Sequence, residues 1–253
     1  MVRTDRMKSK RAEGTSKPAK DWVPVEKLDL RGWAQSKHVP KSSYKDCSMV
    51  VIIPSRTPFL HTRFVQSLDA IRWPMNGRRA KFHVTGAEVG EAYDEHLALC
   101  LDHPELKTYQ FLLTIEDDNL IPPDGVELLL EAIHAGPFDA VGGLYFLKGD
   151  LSMGQCYGSP ETFQRTGVLD FRPRDMTEAI KHGMIVPCNG IAMGCSLFRI
   201  EMFKKLPRPW FKTSPNNTQD LYFAQKACSA GFKFAVDARC RVGHADWASG
   251  IVY

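Results

Sequence analysis

The chain has 253 residues, 43% of them hydrophobic and 25% charged, which is enough apolar material for one large or two small globular domains and excludes collagen-like, coiled-coil and wholly disordered chains. Of the formal charge of +4, residues 1–20 carry +5 through seven Lys/Arg against two Asp/Glu, so the other 233 residues sum to −1. A nearly neutral body lacks the basic patch needed to hold nucleic acid on the fold itself, no apolar run has the length of a membrane span, and the basic start is not followed by the apolar core of a secretory signal.

These features predict a soluble, cytoplasmic protein. Residues 1–20, rich in Lys, Arg, Ser and Gly, read as a disordered basic tail available to an anionic partner. Residues 21–47 mix Trp22, Trp33 and Tyr44 with prolines and charges and read as an N-terminal extension wrapped on a domain at 48–253. The seven cysteines are odd in number and contain no Cys-x-x-Cys pair, which predicts buried thiols rather than a zinc knuckle or a complete disulfide framework.

Met49 to Ile53 is a short apolar, β-branched run that predicts a buried strand, stopped by Pro54. Phe64, Leu68 and Ile71 then fall at helical spacing, Lys81 to Thr85 reads as a weaker strand, and Glu91 to Leu101 reads as a helix. Phe111 to Ile115 is the most apolar strand and runs directly into Glu116-Asp117-Asp118-Asn119. After Pro122 and Pro123, Asp124 and Glu127 have the spacing of a capping box for a helix with Val126, Leu129, Leu130 and Ile133 on one face. Asp139 to Phe146 predicts another strand. This alternation of strand and helix implies an α/β domain with a mostly parallel sheet, whose ligands bind at the carboxyl ends of strands.

Residues 147–183 show no regular pattern and read as a long loop or flap. Beyond them, Met184–Val186 and Cys195–Ile200 predict strands, Glu201–Lys205 a short helix ended by Pro207, and Gln219–Ala230 a longer helix with Leu221, Ala224 and Cys228 on one face. Lys233–Val236 and Arg241–Val242 predict two final strands before Gly243-His244.

Three consecutive carboxylates repel one another and are costly to hold together unless a cation sits nearby, and oxygen ligands suit Mg²⁺ or Mn²⁺. In an extended chain Glu116 and Asp118 point one way and Asp117 the other; a solvated acidic turn before proline is the alternative. His244, at the end of a strand, is a metal ligand only if the fold sets it opposite the acids. Asp220, in the first turn of its helix, is suited either to the helix dipole or to work as a general base. Pro54-Ser55-Arg56 follows the first strand, where a nucleotide would lie. Glycine-rich dinucleotide and P-loop motifs are absent, as is a Gly-x-Ser-x-Gly elbow, which disfavours dehydrogenases, P-loop NTPases and serine hydrolases.

Together these segments resemble the GT-A (Rossmann-like) glycosyltransferases, specifically the family 2-like group and its short standalone members in bacteria and phages. The resemblance rests on four segments in order: Val50-Val-Ile-Ile-Pro-Ser-Arg56; Phe111 to Pro123, with an Asp-x-Asp motif in Glu-Asp-Asp form; Gly190 to Phe211; and Thr218 to His244. It implies a mostly parallel α/β sheet flanked by helices and a nucleotide-sugar donor, most often a UDP- or GDP-sugar. It also implies a Mn²⁺ or Mg²⁺ ion held by Asp118 and His244, with Glu116 acting through water or the ribose hydroxyls. Pro54, Ser55, Arg56 and Asp117 would lie beside the nucleotide, and Asp220 occupies the position of the family's catalytic base. Where many relatives have Ala-Arg-Asn, this chain has Ala92-Tyr93-Asp94, which makes Tyr93 and Asp94 alternative contacts for base or ribose. The residues leave three candidates for the acceptor hydroxyl: a glycan, a protein or a modified DNA base. A metal-dependent nucleotidyltransferase or phosphodiesterase and a non-catalytic sugar-nucleotide-binding protein are the competing readings.

Overall fold

The structure of the protein, a computed structural model, describes residues 45–215 and 217–253. The expectations for the tail at 1–20, and for the extension at 21–47 up to residue 44, lie outside the described residues. Strand β1 (Met49–Ser55) is buried along its whole length, as a central strand covered on both faces must be. It pairs in parallel with β2 (Arg79–Thr85) on one side and β3 (Phe111–Ile115) on the other. Because side chains alternate along a strand, Val50 and Ile52 enter one core, with Tyr93 and Leu97 of helix α2 (Val89–Asp102). Met49, Val51 and Ile53 enter the core on the other face, with Phe64 and Leu68 of α1 (Thr62–Ala70) and Val126 and Leu129 of α3 (Gly125–Ala135).

Strand β11 (Cys195–Arg199) runs antiparallel between β3 and β5 (Ala140–Leu144). β12 (Phe234–Arg241) lies parallel to β5, and β9 (Ile185–Cys188) antiparallel to β12. The resulting seven-stranded sheet has the order β2-β1-β3-β11-β5-β12-β9, with five strands pointing one way. The expected mostly parallel α/β sheet flanked by helices is therefore present. β2, the outer strand among the described residues, exposes Arg79 and Lys81, charges that discourage pairing with another chain. Short helix α6 (Ile200–Lys205) follows β11, and α7 (Gln219–Ser229) precedes β12.

Several local expectations are corrected. Residues 147–183 are not a loop: they hold β7 (Asp150–Tyr157), α4 (Pro160–Thr166), β8 (Pro173–Asp175) and α5 (Thr177–His182). β7 joins β6 (Phe146–Leu147), β8 and β10 (Gly190–Ile191) in a second, smaller sheet, and its first four residues are exposed, so they carry no burial pattern. The two strands expected at 233–236 and 241–242 are the single strand β12, whose register shifts between Asp237 and Arg241. Fully buried Asp237 bonds Arg239 there at 2.8 Å, which puts charged residues inside a strand. Asp124 does precede α3, but its side chain makes no capping bond; Arg72 instead takes Glu127 at 3.0 Å and approaches Asp124 at 3.9 Å. All seven cysteines are free thiols and six are buried. Among the described residues no helix is long and apolar enough to cross a membrane.

Gly158 ends β7 with φ of +67°, and a Cβ there would overlap the Asp170 carbonyl oxygen. Gly158→Ala is accordingly expected to cost about 2 kcal/mol or more through backbone strain and collision. A thermal melt unchanged from wild type would show that this turn is not constrained as described.

Candidate functional site

The parallel pairing of β1 with β3 brings the loops after both strands to the same end of the sheet. There the Ser55 hydroxyl donates to Asp117 Oδ2 at 2.5 Å. Beyond β3 the chain does not stay extended: the Asn119 N–H donates to the Glu116 carbonyl at 3.0 Å and closes a turn. The alternation expected for the three acids therefore does not hold, because the backbone reverses within them. All three instead line one cleft of about 920 Å³, whose walls also include Pro54, Arg56, Glu88, Lys148, Gln219 and Trp247.

After the turn, β4 (Asn119–Leu120) pairs antiparallel with β13 (Gly243–Asp246), setting His244 opposite Asn119. The Ala245 N–H donates to the Asp118 carbonyl at 2.7 Å. This two-strand pairing brings His244, distant in sequence, to Asp118: Nε2 lies 3.5 Å from Oδ2. The other ring nitrogen, Nδ1, is 2.7 Å from the Phe146 carbonyl. A carbonyl only accepts, so Nδ1 carries a proton and Nε2 is left to face the carboxylate, to which it donates when protonated and beside which it offers a lone pair to a cation when not. Two electron-pair donors facing each other fit a cation between them.

Glu116 does not complete a three-residue ligand set. Among the described residues no three His, Cys, Asp or Glu side chains come together closely enough to hold a metal, and the Glu116 carboxylate meets the Gln219 amide at 3.5 Å. Of the expected ligands, Asp118 and His244 are the two that the fold sets face to face. A divalent cation of six or more ligands would then have most positions left for oxygens of substrate and water, which suits a Mg²⁺- or Mn²⁺-type site serving a phosphate ligand.

The electrostatics are uneven across the acids. Burial pushes the Glu116 pKa up, the charges of Asp118, Asp220 and Asp117 add to it, and together they raise it to about 8. Burial acts on Asp118 in the same direction, but hydrogen bonds from His244 and Lys148 and the Lys148 charge outweigh it and hold Asp118 below the ordinary carboxylate range. The Lys148 ammonium lies 2.6 Å from Asp118 Oδ2.

Asp220 opens α7 and is only 8% exposed. Burial raises its pKa, against opposing hydrogen bonds from the Thr218 side chain and the Leu221 N–H. Its neighbour Gln219, not Asp220, is on the cleft wall. Arg56 is exposed on that wall and, among the described residues, no carboxylate pairs with it.

Tyr93 and Asp94 are not brought to the cleft. Tyr93 is fully buried, with a hydroxyl that finds no partner among the described residues, and the four nearby carboxylates add to the burial that raises its pKa well above normal. The Asp94 carboxylate is occupied: it accepts from Arg208 at 2.8 and 3.0 Å, from the Trp210 N–H at 2.5 Å and from the Phe211 N–H at 3.3 Å. It anchors the segment whose Phe211 packs on Phe223 and Phe203.

Several wall residues escaped the sequence reading. Glu88 caps α2 by accepting from Gly90 and Glu91 N–H groups, and takes the Thr213 hydroxyl at 2.8 Å. Trp247 stacks on His61 with centroids 3.9 Å apart and donates its indole N–H to the Asp117 carbonyl at 3.2 Å. Lys148 lay in the segment without pattern. Only Trp247 had a signal, its position three residues beyond His244.

No protein-family model matches the chain, and no curated protein matches it in sequence. Solved structures similar to it include A197 from STIV, at 18% identity and a TM-score of 0.55 over 79% of this chain and 85% of that one. Another is GalNAc-T7 with UDP, GalNAc and Mn²⁺, at 15% identity and a TM-score of 0.52 over 78% of this chain and 42% of that one. GalNAc-T7 has a GT-A fold, and the present chain has the same kind of mixed α/β, GT-A glycosyltransferase-like fold.

Asp94→Ala is expected to destabilise the protein by about 2–4 kcal/mol, since it strands two buried N–H groups and Arg208. A denaturation midpoint indistinguishable from wild type would show that these bonds do not anchor the segment.

Proposed function

We propose that the protein is a metal-dependent glycosyltransferase moving a sugar from a nucleotide-sugar donor to an acceptor hydroxyl. The observation that carries this reading is the Asp118–His244 pair, 3.5 Å apart just beyond β3, with Asp118 on the cleft wall and the mostly buried His244 behind it. The cleft belongs to a fold shared with GalNAc-T7, whose structure contains UDP, GalNAc and Mn²⁺.

In this reading Asp118 and His244 hold a Mn²⁺ or Mg²⁺ ion. When bound, such an ion neutralises charge developing on the phosphate oxygens of the leaving nucleoside diphosphate. Pro54, Ser55, Arg56 and Asp117 lie along the nucleotide, with Arg56 offering its exposed guanidinium to phosphate. Glu116 acts on the ribose hydroxyls or through water. The acceptor oxygen bonds to the anomeric carbon as the bond from that carbon to the diphosphate breaks, and Asp220 takes the acceptor proton. Asp220 is buried off the wall, so acceptor binding must open its neighbourhood; the burial that raises its pKa suits it to receive a proton. The acceptor belongs to a glycan, a protein or a hydroxylated DNA base.

The reading is tested by thermal shift with UDP, GDP, CDP, ADP and dTDP, each with Mn²⁺ or EDTA, because a ligand that binds the native state raises its melting temperature. One nucleotide should stabilise wild type with Mn²⁺ but not with EDTA, and the shift should vanish in Asp118→Ala. Absence of any shift at millimolar concentration would overturn the proposal.

Asp220→Asn is expected to keep that shift and lose transfer by about 10²–10⁴-fold. The same variant has a pH signature. Burial raises the folded-state pKa of Asp220 above the ordinary 3.8, so the native state favours the protonated form, and ionisation at higher pH works against folding. In metal-free buffer the melting temperature of Asp220→Asn relative to wild type should therefore rise as the pH is raised above about 4. Near wild-type transfer by the variant would exclude Asp220 as base.

A further inference from the structure

We propose that Lys148 is an exchangeable internal cation of the cleft: its ammonium holds Asp118 while the cleft is empty, gives that carboxylate up to a divalent ion, and then pairs with the diphosphate of the bound nucleotide. The inference rests on the metal and donor reading above and adds to it a residue outside every motif discussed.

Lys148 Nζ lies 2.6 Å from Asp118 Oδ2, and this is the same oxygen that His244 Nε2 faces at 3.5 Å. A divalent ion bonded to that oxygen and to His244 comes against the ammonium, and the two positive charges repel one another. Lys148 must therefore move when the ion enters. The local structure permits this. Lys148 is at the tip of the hairpin between β6 and β7, its side chain is 38% exposed, and Asp118 is the one carboxylate paired with it among the described residues. Gly149 follows with φ of +84° and open space around it. A lysine is a point charge on a flexible four-carbon stem, able to change partners without a fixed hydrogen-bonding plane.

Its destination is set by charge. Lys148 and Arg56 are both on the walls of the cleft that holds Glu116, Asp117 and Asp118. Once the ion has taken Asp118, a diphosphate brought into the cleft offers the released ammonium more negative charge than Asp246, the other carboxylate on that wall that its charge reaches. Lys148 thereby serves as a placeholder that lowers the repulsion of the acids before loading and as a phosphate contact afterwards.

The test compares wild type with Lys148→Gln, which keeps length and polarity but removes the charge. Binding of Mn²⁺ alone is followed by electron paramagnetic resonance of the free ion, and binding of inorganic pyrophosphate at saturating Mg²⁺ by calorimetry. Lys148→Gln should bind Mn²⁺ about tenfold more tightly and pyrophosphate about tenfold more weakly than wild type. Unchanged or weaker Mn²⁺ binding overturns the exchange, and tighter Mn²⁺ binding with unchanged pyrophosphate affinity overturns the transfer to phosphate. If both proteins bind Mn²⁺ in a way that Asp118→Ala abolishes, either failure is confined to Lys148. If neither protein binds Mn²⁺ or pyrophosphate, the metal and donor reading fails and this inference with it.

Discussion

Mutual repulsion among carboxylates at the end of β3 is the constraint around which this site is organised. Glu116, Asp117 and Asp118 leave the strand together, and Asp220 approaches from the start of α7. Left alone, such a cluster would open or take up protons, and the raised pKa of Glu116 shows the second tendency. Each carboxylate is instead given a partner of its own: Ser55 for Asp117, Lys148 and His244 for Asp118, Gln219 for Glu116, and Leu221 N–H for Asp220. These partners come from elements spread along the chain, so holding the acids together and closing the fold are one task.

The sheet supplies the geometry. Parallel β1 and β3 end at one edge, so their loops face each other across the cleft. Antiparallel β11 follows β3 in the sheet, and the Gly194 carbonyl just before it accepts from the Glu116 N–H at 3.2 Å, tying the acidic turn to the next strand. The small β4–β13 pairing then fixes His244 against Asp118. The Phe146 carbonyl, from the hairpin that also carries Lys148, fixes which ring nitrogen faces the acid. A change in that hairpin therefore reaches both the histidine and the lysine, although neither strand of the hairpin belongs to the main sheet.

How much of this could be read beforehand differed by region. Runs such as Met49–Ile53 and Phe111–Ile115 are apolar because both faces of those strands are covered, and their type and limits were legible to within a few residues. β7 was not, because Asp150–Met153 are exposed and the buried half, Gly154–Tyr157, is too short to show a period. β12 was split by Asp237 and Arg239, which read as a break but satisfy each other inside the strand. In the site, Asp118 and His244 were each legible as candidates, while their approach depends on β4–β13 pairing that neither segment announces. Tyr93 and Asp94 were singled out because they stand where many relatives have a different motif, and the structure puts both on the buried face of α2 with Leu97, off the cleft wall. Lys148 was illegible because its meaning comes entirely from what stands opposite.

The central claim is that Asp118 and His244 share one divalent cation. The most direct measurement is anomalous diffraction at the manganese edge from crystals grown with Mn²⁺ and a nucleoside diphosphate. The account predicts one strong peak bonded to Asp118 Oδ2 and His244 Nε2, with diphosphate oxygens completing its shell and Lys148 moved off the carboxylate. A nucleotide bound in the cleft with no peak between those two residues, or manganese bound elsewhere, would contradict it.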